Sequence, residues 1–100
     1  MSPRLSFEAG ILRVEGGIDF ANANDCCEQG LALLARAEGP VTANLAGLEK
    51  ASSVSVAVLL RWAHAVAARG QVLQLARVPD KCRSILRVSG LGDALPEMGV

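Results

Sequence analysis

The feature that most constrains this chain is the two-residue alternation in its short extended runs. Leu5 and Phe7 alternate with Arg4, Ser6 and Glu8. Leu12 and Val14 alternate with Arg13 and Glu15, and Val41, Ala43 and Leu45 with Thr42 and Asn44. Successive side chains of a strand point to opposite faces, so each run has one apolar and one polar side. A sheet covered on both faces would need near-continuous apolar strands. This pattern instead demands a sheet with one covered face, leaving Arg13, Glu15, Thr42, Asn44 and Gln74 on the open one.

The first two runs, hinged at Ala9-Gly10, read as an antiparallel hairpin ended by Gly16-Gly17. The spacing of Cys27, Leu31, Leu34 and Ala35 predicts a helix over Ala21–Ala37. Asp19, Asn22 and Asn24 are its candidate caps, and Gly39-Pro40 its stop. Val41–Leu45 reads as a strand and Ala46–Ala51 as a loop. A second helix opens at Ser52, Ser53 and Ser55, and Arg69 and Gly70 close it. Its stripe of Val56, Leu59, Leu60, Ala63, Val66 and Ala67 should face the sheet, which leaves Val58, Trp62 and Ala65 to one side. A strand over Val72–Ala76 precedes a helix entered at Pro79, with Ile85, Leu86 and Val88 inside. Leu91–Val100 should hold a short turn at most. The expected fold is α/β: one domain over residues 1–100, with a small mixed β-sheet in the order β-β-α-β-α-β-α. Helical crossovers make the later strands parallel, and the helices pack mainly on one face.

Composition narrows the function. Of 100 residues, 51% are hydrophobic and 20% charged, enough for a core without metal or disulfide staples. Ten bases balance ten acids, which argues against general affinity for nucleic acid or anionic membrane. The longest apolar stretch, Val56–Leu60, is too short to span a bilayer. No charged-then-apolar leader opens the sequence, so a cytoplasmic location is expected. Cys26, Cys27 and Cys82 are an odd set with two adjacent members, and read as small buried hydrophobes. There is one histidine, His64, and no paired Cys-x-x-Cys motif for zinc. A Gly-rich loop with a lysine is missing, Tyr is missing, and Asp19 and Asp25 read as helix-start charges. The expectation is a chain that is not an enzyme and takes no cofactor or metal.

The best candidate site is Ser52, Ser53 and Ser55, three hydroxyls at a helix N-terminus. Free N–H groups there can hold an anion or a phosphorylated side chain. Serine is also a good cap, and Ser53 is the residue expected to cap this helix. Arg83 and Arg87, spaced i, i+4, form a basic stripe on the last helix, which the crossover should bring alongside. These five residues are the expected partner-binding set.

Several stretches together resemble the STAS domain. They are Gly16-Gly17-Ile18-Asp19-Phe20-Ala21, Ala43-Asn44-Leu45-Ala46-Gly47-Leu48, Ser52-Ser53-Val54-Ser55 and Leu59-Leu60-Arg61-Trp62. The last of these, with Val78-Pro79-Asp80-Lys81, is most similar to the small stand-alone MlaB-like branch of that family. The resemblance implies a non-enzymatic cytoplasmic subunit. It would bind and support the ATPase of an ABC-type phospholipid transport (Mla) complex that maintains outer-membrane lipid asymmetry, and would meet the inner membrane only through that complex. The alternative within the family is an anti-sigma-factor antagonist, a partner-switching regulator. Aligned on the family pattern, Val54 falls where those antagonists carry their phosphorylated serine, and Asn44 replaces a usual aspartate. Valine removes the hydroxyl a kinase would modify and leaves Ser53 as a contact or capping residue.

Overall fold

In the computed structural model, which describes residues 3–89, the alternating runs become strands β1 (Arg4–Glu8) and β2 (Ile11–Gly17). They pair antiparallel, with Leu5 opposite Val14 and Phe7 opposite Leu12 on the covered face. Ala9 and Gly10 make the two-residue turn with φ of 53° and 79°. Two positive φ values give a hairpin turn whose twist matches that of the strands. The order continues through α1 (Ala23–Leu34), β3 (Val41–Glu49), α2 (Ser53–Ala67), β4 (Leu73–Ala76) and α3 (Asp80–Ser89). The strands lie in the order β1-β2-β3-β4, with β2, β3 and β4 parallel. Leu12, Val14, Val41, Ala43, Leu45, Leu73 and Leu75 are all buried beneath the helices. Arg4, Glu8, Arg13, Glu15 and Gln74 are exposed on the other face. The mixed sheet with helices on one face is therefore as the alternation demanded.

β3 runs four residues beyond its expected end, through what read as a loop. The reason is a bulge. Arg13 pairs with Asn44 but Glu15 pairs with Gly47, so β3 carries one extra residue there. The Asn44 side chain accepts from the Ala46 backbone N–H at 3.0 Å and supports the kink. Leu45 and Leu48, an odd number apart, are consequently both buried. Gly47 is required by close approach, since a Cβ there would lie 2.8 Å from Glu15 Cγ.

Trp62 is also not where the helical wheel placed it. It is fully buried, not marginal, and donates from Nε1 to the Cys27 carbonyl at 3.0 Å. Its ring occupies the space above Gly30 of α1, where a Cβ would sit 2.3 Å from Cε2. Val58 is buried as well, while Leu60 is half-buried and Ala67 exposed. The buried stripe of α2 is thus rotated toward α1. Arg69 completes that union by donating to the carbonyls of Leu34 and Ala37 at the far end of α1. On α3 the buried pair is Cys82 and Leu86, one turn apart, so Val88 projects outward at 88% exposure instead of lying inside. The turn expected in Leu91–Val100 lies outside the described residues.

Candidate functional site

The parallel strands β2 and β3 both end at the same edge of the sheet, and a groove of about 480 Å³ lies there. One wall is Gly16–Phe20, leaving β2; the other is Glu49 and Lys50 leaving β3, then Ser52, Ser53 and Val54 entering α2. Crevices at the carboxyl ends of parallel strands are favoured ligand positions because the chain diverges there. Lys50 makes the exit from β3 in a left-handed conformation, with φ of 51°.

Both walls are held by the same local device. Ser52 is the N-cap of α2, with an extended backbone at φ −149°. Ser55 Oγ accepts from the Ser52 N–H at 2.9 Å and donates to the Ser52 carbonyl at 2.7 Å, the reach-back half of a capping box. On the opposite wall Asn22 Oδ1 accepts from the Asp19 N–H at 2.9 Å. Asp19 Oδ1 accepts in return from Ala21 and Asn22 N–H at 2.9 and 3.0 Å. Asn22 Nδ2 then donates to the Gly17 carbonyl, tying the corner to the end of β2.

The expected site residues separate under this geometry. Ser52 and Ser53 line the groove, Ser53 exposed and Ser52 half-buried. The cap is Ser52, not Ser53, because the partner hydroxyl sits three residues on, at Ser55. Ser55 is fully buried and committed to the Ser52 backbone, so its hydroxyl holds the corner and does not face a partner. Arg83 and Arg87 lie on α3, which does pack against α2, but neither lines the groove. The Arg83 guanidinium stands 3.6 Å from Asp80, and Arg87 is exposed.

The sequence reading did not single out Phe20, which lines this groove. It is 91% exposed, yet its corner is fixed by four hydrogen bonds through Asp19 and Asn22. A solvated phenylalanine on an ordered corner is unlike a loop residue that has failed to find the core. Phe20 also borders a second groove, of about 280 Å³, between α1 and α2.

Nucleophilic chemistry finds little here. Burial pushes the Cys26 thiol up to about 11, helped by the neighbouring Cys27. Burial also raises Cys27, against an opposing pull from Arg61. Reactive cysteines need the opposite shift. His64 is exposed on α2. Among the described residues no three His, Cys, Asp or Glu side chains group to hold a metal. No helix among them is long and apolar enough to cross a membrane.

Solved structures define the class. SpoIIAA, an anti-sigma factor antagonist determined in its unphosphorylated form, superposes with a TM-score of 0.74 at 17% identity, covering 97% of this chain and 88% of that one. An anti-sigma-factor antagonist (STAS) domain protein from Planctomyces limnophilus gives 0.75 at 18%, covering 100% and 92%. At such identities the likeness is one of fold: a four-stranded mixed sheet with three helices, the STAS architecture. The MlaB subunit in the Acinetobacter MlaFEDB complex, in its ATP-bound Vtrans1 conformation, gives 0.76 at 28% identity, covering 92% of this chain and 97% of that one. A sequence comparison with curated proteins returns no match. The family described as "Mlab, STAS domain" matches residues 1–97, and the chain belongs to it.

Proposed function

We propose that this chain is a non-enzymatic STAS subunit that binds and supports the ATPase of an ABC-type phospholipid transporter of the Mla kind. It would work on the cytoplasmic side of the inner membrane and reach it through the complex. The observation that carries this reading is the 28% identity to the MlaB chain over nearly the full length of both. STAS proteins typically regulate or assemble other proteins. The groove beside Ser52 and Ser53, with exposed Phe20 on its rim, offers a contact surface without a catalytic set. Val54 in the groove wall supports the same choice, having no hydroxyl to phosphorylate.

The test is co-purification of the tagged chain from gently solubilised membranes of its own cell. An ABC ATPase and its permease should accompany it in fixed ratio, and Ser53→Trp should release them. Arg13→Ala, on the open face of the sheet, should not. Recovery of a protein kinase with a sigma factor would overturn the reading in favour of an anti-sigma-factor antagonist. So would intact-mass spectra with a stoichiometric phosphate on Ser53, the exposed hydroxyl next to Val54.

A further inference from the structure

We infer that two copies of this chain join through the outer edge of β1, antiparallel about a two-fold axis at Ser6, so that their sheets become one. The inference stands apart from the proposed function. β1 ends the sheet, and no strand lies on its outer side among the described residues. The register fixes which of its backbone groups face outward. The Thr42 N–H donates to the Gly10 carbonyl at 2.9 Å, so Gly10, Leu12 and Val14 turn to β3. Ile11, Arg13 and Glu15 then turn to β1, where Glu8, Ser6 and Arg4 are their partners. The N–H and carbonyl groups of Leu5 and Phe7 are left pointing away from the sheet, the row on which a further strand can pair.

The occupant is a second copy because the sequence of β1 complements itself. With Ser6 opposite Ser6 of the second copy, Leu5 meets Phe7 and Arg4 meets Glu8, each twice by symmetry. The outward groups of Leu5 and Phe7 then bond one another, and the helices of both copies stay on one face. Sliding the strands by two residues sets a charge opposite Ser6 and loses both charge pairs. On the open face Arg4 already lies opposite Glu15 of β2. Glu8 of the second copy would flank it on the other side, placing each arginine between two carboxylates, and opposite charges across strands stabilise a sheet. A shallow groove of about 290 Å³ beside Ser6, Glu8 and Ala9 leaves room for the incoming Arg4 side chain. On the covered face Leu5 and Phe7 are only half-buried against the core, and their counterparts from the second copy extend that burial. Such an isologous contact closes at two copies.

The experiment is sedimentation equilibrium of the full chain over a concentration series, with Arg4→Glu and Glu8→Arg beside wild type. Wild type should show a monomer–dimer equilibrium. Each single reversal sets like charges opposite one another at two places and should weaken the dimer roughly tenfold or more. An equimolar mixture of the two variants should recover it, since Glu at position 4 of one then faces Arg at position 8 of the other. Ser6→Cys should cross-link into a dimer on mild oxidation, because a pair on the axis brings its Cα atoms to about 4.5 Å. Glu8→Cys, which faces Arg4 and not its own copy, should not. The native cysteines are buried and do not compete. The altered side chains are exposed on the open face, so circular dichroism should match wild type. A wild-type monomer at every concentration would overturn the inference. A dimer that the single reversals leave unchanged, or that Ser6→Cys fails to cross-link, would place the contact elsewhere and overturn it as well.

Discussion

The two corners that flank the main groove use one construction for different ends. At each, a side chain three residues on returns to a backbone N–H: Asn22 to Asp19 and Ser55 to Ser52, both at 2.9 Å. The Ser52 corner places small residues, Ser53 and Val54, where it is tied. The Asp19 corner lifts Phe20 into solvent. The hydrogen bonds give both corners a fixed shape, and the residues enclosed between the bonded pair decide what that shape presents. Rigidity matters for recognition because a preordered anchor loses little entropy on binding.

Both corners depend on α1 and α2 staying in register, so the largest effect should come from their shared contact. Trp62→Ala leaves a cavity under both helices and should cost roughly 3–5 kcal/mol, measured as a lower urea midpoint. Gly30→Ala attacks the same contact from the other helix. Its new Cβ would overlap the Trp62 ring, with an expected cost of about 1–3 kcal/mol from overpacking.

The corners themselves come next. Ser52→Ala should cost about 1 kcal/mol as loss of an N-cap, while Ser53→Ala should be near neutral in the same melt. Ser55→Ala should cost about 1–2 kcal/mol, because it leaves the Ser52 N–H without its acceptor. Asn22→Ala removes the matching bond at the other corner. It should loosen the presentation of Phe20, seen as faster amide exchange at Asp19. Equal exchange rates in Asn22→Ala and wild type would show that the two corners are not built alike.

The smallest effect near neutral pH concerns Cys26. Its thiol titrates near 9.0 when unperturbed and near 11 in the fold. The folded state therefore holds the proton more tightly than the unfolded state. The resulting stability is complete below pH 9 and is lost as pH rises toward 11. Urea midpoints should fall across that window, and Cys26→Ala should flatten the fall. Thiol reagents at pH 8 should label Cys26 only on unfolding.

Much of the fold was legible because strand alternation is a local signal. Arg13 and Glu15 against Leu12 and Val14 told of an open and a covered face without reference to anything distant. What escaped was set by contacts far apart in sequence. The extension of β3 depends on Gly47 yielding to Glu15, and the burial of Trp62 on Gly30 yielding to its ring. Neither glycine announces its partner. The hydroxyl cluster marked a helix end that borders a groove, but the choice of Ser52 over Ser53 as cap turns on one backbone conformation. Phe20 was visible as part of a family-like turn, yet alternation and helical spacing are silent about a corner residue. Arg83 and Arg87 do lie on a helix that packs against α2, as the crossover implied. Adjacency did not bring their outer surfaces to one groove.

The proposed function places the ATPase against the groove at the ends of β2 and β3, with Phe20 on its rim. Hydrogen–deuterium exchange of the chain alone and in complex with that ATPase measures the face directly. Slowed exchange is expected over residues 16–24 and 52–61, with little change over β1, the outer turns of α3 and the open face of the sheet. Protection confined to α3 or to Arg4–Glu8, with residues 16–24 exchanging as in the free chain, would contradict it.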